Sequence, residues 1–355
     1  MFDRDKKLNQ SGGTDSTNTQ AGRDVVIVQG NSLSEVRDFV REAISANALA
    51  MRQIAREVIE ERISTFSELL MERAKSDPEL VSATADPDMQ HALIDAGLGF
   101  ARSGDEDMAG ILVDLLADRS KEESRSLLAL VINDAVTIAP RLTDGEIAIL
   151  TIYWRLAHTI NYAVTSSDAL AAFVKTDIAP LVPFLPSGDA NYLHLQSLGC
   201  AVVQISEIYF QQVWNQTYTA LFTQGFTLDE IPEAIHQPLV DSSLLVQHMR
   251  DPTRLQINVL NEQQLRAGVA GQAIEAHVED IVNFMKSRPM QSDELIEHLA
   301  QIDPVMRDLA AIWASTSLRY LRLSAVGIAI AHANWRHLTG MTAPLSTWIS
   351  ETGPS

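Results

Sequence analysis

From Ser32 to Ser76 the chain carries neither proline nor glycine, and its apolar residues recur at three- and four-residue steps. Val36, Val40, Ile44, Ala48, Met51, Ile54 and Val58 share one stripe of an α-helix, and Ile59, Ile63, Phe66 and Leu70 continue it on a slightly rotated one. Ser32 and Glu35 have the spacing of a capping box, in which hydroxyl and carboxylate satisfy free N–H groups of the first turn. A pattern this long exceeds an ordinary globular helix and predicts a long spine helix beginning at residue 32, a bundle spine or coiled-coil stalk, with Ser64-Thr65 as the place where it could break in two.

Asp77-Pro78 ends that element. Asp86 followed by Pro87 fits an N-cap with proline at the first helical position. Helices are predicted over about 87–102, 106–118 and 121–138, with Ser103-Gly104-Asp105 as the clearest turn between them. Pro140 interrupts the chain, and Thr143 with Glu146 forms a second capping box for an apolar helix reaching about Tyr162. Residues 180–190, with Pro180, Pro183, Pro186 and Gly188, read as a loop. A long helix fits about 197–224 and stops at Gly225, and Asp251-Pro252 separates a last group of helices. All five tryptophans lie beyond Pro140, which makes that proline the expected domain boundary. The fold class expected is therefore all-α: an N-terminal segment (1–31), a spine helix with acidic helical hairpins (32–140) and a tryptophan-containing helical domain (141–355).

One segment departs from the helical period. A polar, glycine-containing tract leads into the β-branched run Val25, Val26, Ile27 and Val28, followed by Gln29 and the turn-forming Gly30-Asn31. A lone strand leaves its backbone donors and acceptors unpaired, so this one needs a partner edge. Thr17, Thr19 and Ala21 would alternate to one face, with Asn18, Gln20 and Gly22 on the other. Such threonines and Asn/Gln ladders favour in-register stacking of copies. The residues expected to self-associate are thus Thr17, Asn18, Thr19, Gln20, Ala21, Val25, Val26, Ile27, Val28 and Gln29. A disordered tail and strand addition to the sheet of another protein are the alternatives.

A second pattern is an internal echo. Tyr192–Ala201 and Tyr320–Ala329 share Tyr-Leu-x-Leu, then an apolar residue, glycine, an apolar residue and alanine. Each could be a short extended Leu-x-Leu segment turning into a helix, with the glycine admitting close backbone packing.

Charge narrows the function classes. The 355-residue chain has a formal net charge of -19, a surface that repels phosphate backbones and argues against nucleic acid as a partner. Residues 77–124 hold twelve acidic groups against Arg102, Arg119 and Lys121, an acidic face that is either simply solvated or a docking surface for a basic partner. The most apolar window, Ala325–Ala331, is far shorter than the roughly 20 residues that span a bilayer, so no membrane span is expected. Met1-Phe-Asp-Arg-Asp-Lys-Lys7 has no apolar core after its charges and does not read as a signal peptide. A single cysteine, Cys200, permits no intrachain disulfide and suits a reducing cytoplasm.

Candidate chemistry is sparse. No phosphate-cradling loop, nucleophile elbow or zinc-helix motif occurs, and Gly97-Leu-Gly99 lacks the third glycine and preceding strand of a dinucleotide site. Cys200 sits among apolar residues and reads as an inert buried thiol. His332 and His337, five apart, do not share a helix face. Glu275, His277, Glu279 and Asp280 are dense, but His277 points away from the Glu275–Glu279 face. Asp105-Glu106-Asp107 suits the positive end of a helix better than a cation. No catalytic residue, cofactor or metal is assigned.

The string Gly13–Ile27, which includes Asn18-Thr-Gln-Ala-Gly-Arg-Asp24, resembles tracts that open or close many bacterial conflict and antiphage proteins. Val26–Gly30 is loosely similar to the amyloid-signalling motifs of bacterial and animal immune proteins, though Gly30 directly follows Gln29 instead of standing two places on. Over its length the chain resembles an uncharacterised bacterial family of helical proteins with the same layout, the later landmarks being Ala101-Arg-Ser-Gly-Asp105 and Leu323-Ser-Ala-Val-Gly327. The resemblance implies a bacterial defence context and no activity. The expectation is a non-enzymatic, cytoplasmic homo-oligomer acting as sensor or scaffold. Its rival is an enzyme or small-ligand sensor whose site is dispersed between the helical halves, for which a buried carboxylate or histidine between them would be the mark.

Overall fold

The computed structural model describes residues 33–48 and 56–350. The ten residues expected to self-associate lie outside these, as do Ser32 and the whole segment in which a strand is expected. Among the described residues the chain is all-α, with sixteen α-helices and two two-stranded ribbons.

The first six helices are α1 (Leu33–Ala48), α2 (Arg56–Ser76), α3 (Pro78–Ala83), α4 (Pro87–Ser103), α5 (Glu106–Arg119) and α6 (Leu127–Ile138). The expected single spine is divided: α1 and α2 pack on each other and both pack on α4, as only two separate helices can. Burying Ile44 from one and Phe66 from the other against Gly97 of α4 satisfies both halves of the stripe. Each such fully buried side chain contributes roughly 1.5–3 kcal/mol. Local signals at α4 and α5 behave as expected. The Asp86 carboxylate accepts from the Asp88 N–H, Gly104 closes α4 at φ +69°, and Asp105 accepts from the Asp107 and Met108 N–H groups. By contrast α6 starts at Leu127, six residues later than the pattern suggested, because Ser126 caps it and Arg125 turns the chain at φ +68°.

Next come α7 (Asp144–Tyr153), α8 (Ser167–Phe173), α9 (Ala190–Ser197), β1 (Ala201–Val203) and α10 (Phe210–Thr217). The Thr143–Glu146 capping box opens α7 as expected. The long helix expected over 197–224 does not exist. Gly199, at φ +75°, ends the run after α9, and Ala201–Val203 become a strand because a partner edge is at hand.

The remainder comprises α11 (Glu233–Val240), β2 (Leu245–Gln247), β3 (Leu255–Ile257), α12 (Glu262–Val269), α13 (Val278–Lys286), α14 (Ser292–Ile302), α15 (Val305–Ser315), β4 (Leu321–Leu323) and α16 (Ala325–Thr339). β1 pairs antiparallel with β4, Ala201 opposite Leu323, so the two echoing segments meet in space. Only the second follows the expected strand-to-helix order; in the first, Leu193 and Leu195 are helical and the strand comes after the glycine. A Cβ on Gly327 would lie 2.0 Å from the Cys200 carbonyl oxygen, so this glycine does admit a close approach. There Ser324 caps α16 and donates its hydroxyl to the Cys200 carbonyl at 3.0 Å.

Pro140 does not divide the core. One apolar cluster runs from Val36 to Ile349, because the returning α16 packs on α5, α6 and α7 together. A second, smaller core joins Phe226, Ile235, Leu239, Ile257, Leu265 and Phe284 from α11–α13 and the β2–β3 ribbon. The chain enters and leaves this small unit side by side: Met290 N–H donates to Phe222 O and Gln224 N–H to Arg288 O.

Candidate functional site

Helix α5 is the most enclosed of the first six, buried along almost its whole length. Within its apolar run, Asp114 and Asp118 stand four residues apart and therefore on one face. On α16, His332, Trp335 and Arg336 likewise share a face. Packing α16 on α5 brings the two faces together, and no carboxylate so deeply buried is stable without a partner.

Arg336 supplies it. Its Nη1 donates to Asp118 Oδ1 at 2.7 Å, its Nε lies 3.1 Å from Asp114 Oδ1, and its Nη2 donates to the Asp114 backbone carbonyl. Arg73, in the last turn of α2, approaches Asp114 Oδ1 from the other side at 3.3 Å. His332 completes the cluster, with Nδ1 3.5 Å from Asp118 Oδ2. Its Nε2 lies 2.8 Å from the Ala343 carbonyl, which can only accept, so that nitrogen carries a proton, and Nδ1 faces Asp118. Asp114, Asp118, His332 and Arg336 are each at most 8% exposed.

The two carboxyls are pushed in opposite directions. Burial raises Asp114 above the usual carboxylate range, only partly offset by Arg336 and Arg73. Burial acts the same way on Asp118, but the His332 ring and the Arg336 guanidinium outweigh it and hold this carboxyl low. Divergence of this kind is expected where two close carboxyls share a limited supply of positive charge.

Two members of the cluster, Asp118 and Arg336, reach the wall of a cleft of about 380 Å³ that is open to solvent. Arg73, Asp118, Lys121, Glu122 and Arg336 line it, with Leu128 and the segment 342–346. The volume is in the range of small-molecule sites. Arg73 Nε, Asp118 Oδ2, His332 Nδ1 and Arg336 Nε are buried without a well-aligned hydrogen bond, although Arg336 Nε faces Asp114 and His332 Nδ1 faces Asp118 within ion-pair distance. The arrangement can hold and orient a polar ligand.

The other residues singled out by sequence have settled roles. Cys200 is buried and its thiol is pushed up to about 12, by burial first and by Glu146 second, as an inert thiol should be. Glu146 is shared between its capping box and His194, whose Nδ1 is 2.7 Å away. Glu279 pairs with Arg266 and Glu275 accepts from the Gly271 N–H. His337 stands 3.6 Å from Asp107 on the surface, apart from His332. The acidic window 77–124 is less of a face than its composition suggests. Asp77 pairs with Lys121, Asp86 and Asp88 with the buried Arg119, and Asp114 and Asp118 turn inward.

Sequence reasoning missed the site itself. The available signal was Asp114 and Asp118, two carboxylates at helical spacing inside Ile111–Ala117 and its continuation, where solvent exposure could not explain them. Their partner lies 218 residues on and leaves no local trace.

No curated protein and no solved structure matches the chain. One protein-family model, described only as ":-like", matches residues 30–349, which is most of the 355 residues. The chain belongs to that family, whose description states no activity, ligand or partner.

Proposed function

We propose that the protein is a non-enzymatic sensor: a helical body that binds a small ligand in the cleft above Asp118 and Arg336, joined to an N-terminal segment that self-associates. The observation that carries this reading is the Asp114–Asp118–His332–Arg336 cluster, in which the last helix is tied to α5 by buried charges left short of hydrogen bonds beside a solvent-open cleft. A ligand seated there touches α2, the turn after α5 and α16 at once and stabilises the folded body by its binding free energy. Buried carboxylates and a buried histidine between the early and late helices are the mark expected of the rival reading, an enzyme or small-ligand sensor with a dispersed site, and they support its ligand-binding part. Self-association through residues 17–29, a cytoplasmic location and a place in bacterial defence rest on the sequence and its resemblance.

Two measurements test the proposal. A thermal-shift panel of nucleotides and small metabolites is expected to yield a stabilising compound, by about 2.7 kcal/mol at a hundredfold excess over Kd. That stabilisation should be lost in Asp118→Asn. Light scattering on the full chain and on residues 32–355 should show fewer subunits in the truncated form. A panel without any hit removes the sensor role, and an unchanged subunit number removes the self-associating segment.

A further inference from the structure

We infer that the ligand class of the cleft is a small oxyanion, a molecule presenting a phosphate or carboxylate group to Arg73 and Lys121; this rests on the sensor reading above. In a chain of net charge -19, three cations from distant elements converge on one cleft: Arg73 from α2, Lys121 from the turn after α5 and Arg336 from α16. Their commitments differ. Arg336 is consumed by Asp114 and Asp118, two carboxyls on one guanidinium. Arg73 has only the 3.3 Å approach of its Nη2 to Asp114, and its side chain is 26% exposed, so the outer edge of the guanidinium stays open to the cleft while its Nε is buried. Lys121 pairs with Asp77 at 3.1 Å while remaining 44% exposed, so the ammonium keeps donors free for a ligand.

Asp118 is the one cluster carboxylate on the cleft wall and it is paired with Arg336, so the donors left to a ligand are those of Arg73 and Lys121. Arg73 offers a planar fork suited to two oxygens, Lys121 a point charge beside it. The Thr342 and Ser346 hydroxyls stand on the same lining, exposed and able to donate to a third oxygen. The opposing feature is Glu122, whose carboxylate accepts the Ser126 hydroxyl at the rim. It limits how much negative charge the cleft accepts and gives the inference a second handle.

The test is titration calorimetry on the full chain with inorganic phosphate and, separately, malonate, against sodium chloride at matched ionic strength. Saturable binding of at least one of the two is expected, and which one binds separates phosphate from carboxylate chemistry. Lys121→Ala and Arg73→Lys should each weaken it about three- to tenfold, and Glu122→Gln should tighten it about twofold. Arg102→Ala, a cation outside this cleft, should leave it unchanged. Lys121 and Glu122 are surface side chains, so their variants report binding even if an Arg73 variant folds poorly. Equal affinities in wild type, Lys121→Ala and Glu122→Gln overturn the inference. So does a neutral compound that binds while both anions fail, though that leaves the sensor reading standing if Asp118→Asn abolishes its binding. Failure of every compound, charged or neutral, removes both.

Discussion

Helix α16 contributes to two buried ion-pair networks, and they are built differently. In one, Arg155 donates its Nε and Nη2 to Asp177 Oδ2 at 3.1 and 2.7 Å and its Nη1 to the Thr159 hydroxyl at 2.7 Å. Trp335 adds its indole N–H to Asp177 Oδ2 at 3.0 Å, and Thr176 donates to Oδ1 at 2.7 Å. The guanidinium lies 5.0 Å from the Phe173 and Trp335 ring centres, which supply cation–π stabilisation on its faces. Every charge there is satisfied and enclosed in aromatic side chains. In the other, one residue further along α16, Arg336 and His332 meet two carboxylates with four buried atoms unmatched, beside open water. The same residue chemistry therefore serves two ends. A saturated network holds the core in one arrangement; an unsaturated one at a cleft leaves something for a ligand to complete.

The comparison can be broken most directly by truncating each arginine. Arg155→Ala strands Asp177 in an aromatic interior and should cost about 3–5 kcal/mol. Arg336→Ala should cost less, roughly 1–3 kcal/mol, because water from the cleft reaches the freed carboxylates. Urea unfolding midpoints measure both, and equal losses would mean that the two networks do not differ in kind.

A smaller effect is expected at the seat of the shared helix. Gly327→Ala drives a methyl into the Cys200 carbonyl and must shift α16, at about 1–3 kcal/mol. Because α16 carries Trp335 to the sealed network and His332 and Arg336 to the open one, near-ultraviolet circular dichroism should change together with stability. A variant with wild-type spectrum and Tm would show that the helix can slide without disturbing either.

The smallest expected effect is in pH dependence, and it sharpens the account of the open cluster. Asp118 is held below its ordinary 3.8, so its stabilising contribution is present above that value and is lost as pH falls through its folded pKa. Asp114 is raised above 3.8, so its contribution is complete below that value and is lost as pH rises through its folded pKa. Stability measured over about pH 3 to 6 should therefore change slope in opposite directions for Asp118→Asn and Asp114→Asn. Slopes of the same sign would contradict the division of charge described for this pair.

Much of the helical order was legible because its signals are local. Asp86-Pro87, Ser103-Gly104-Asp105 and the Thr143–Glu146 box act through neighbouring backbone groups, and each stands where the sequence placed it. Where a segment's state depended on a distant partner, the reading failed. Ala201–Val203 read as part of a long helix, since nothing nearby announces the Leu321–Leu323 edge that makes them a strand. The apolar stripe of 32–76 looked continuous because a helical period does not record where two helices fold back on each other. Pro140 looked like a boundary because composition changes there, while the core that crosses it is assembled by α16 from the far end of the chain.

The sequence by itself determined that the protein is helical, where several of its helices begin and end and that Cys200 is inert; of the two echo glycines read as close approaches, Gly327 is one and Gly199, with open space around it, is not. Only the tertiary structure decided which charges are buried and with what. Asp114 and Asp118 sit in a window that composition makes an acidic surface, and the packing of α16 against α5 turns them into an interior cluster beside a cleft. The physical reason is range: caps and turns are satisfied within a few residues, whereas a buried charge is satisfied by whichever opposite charge the fold brings to it.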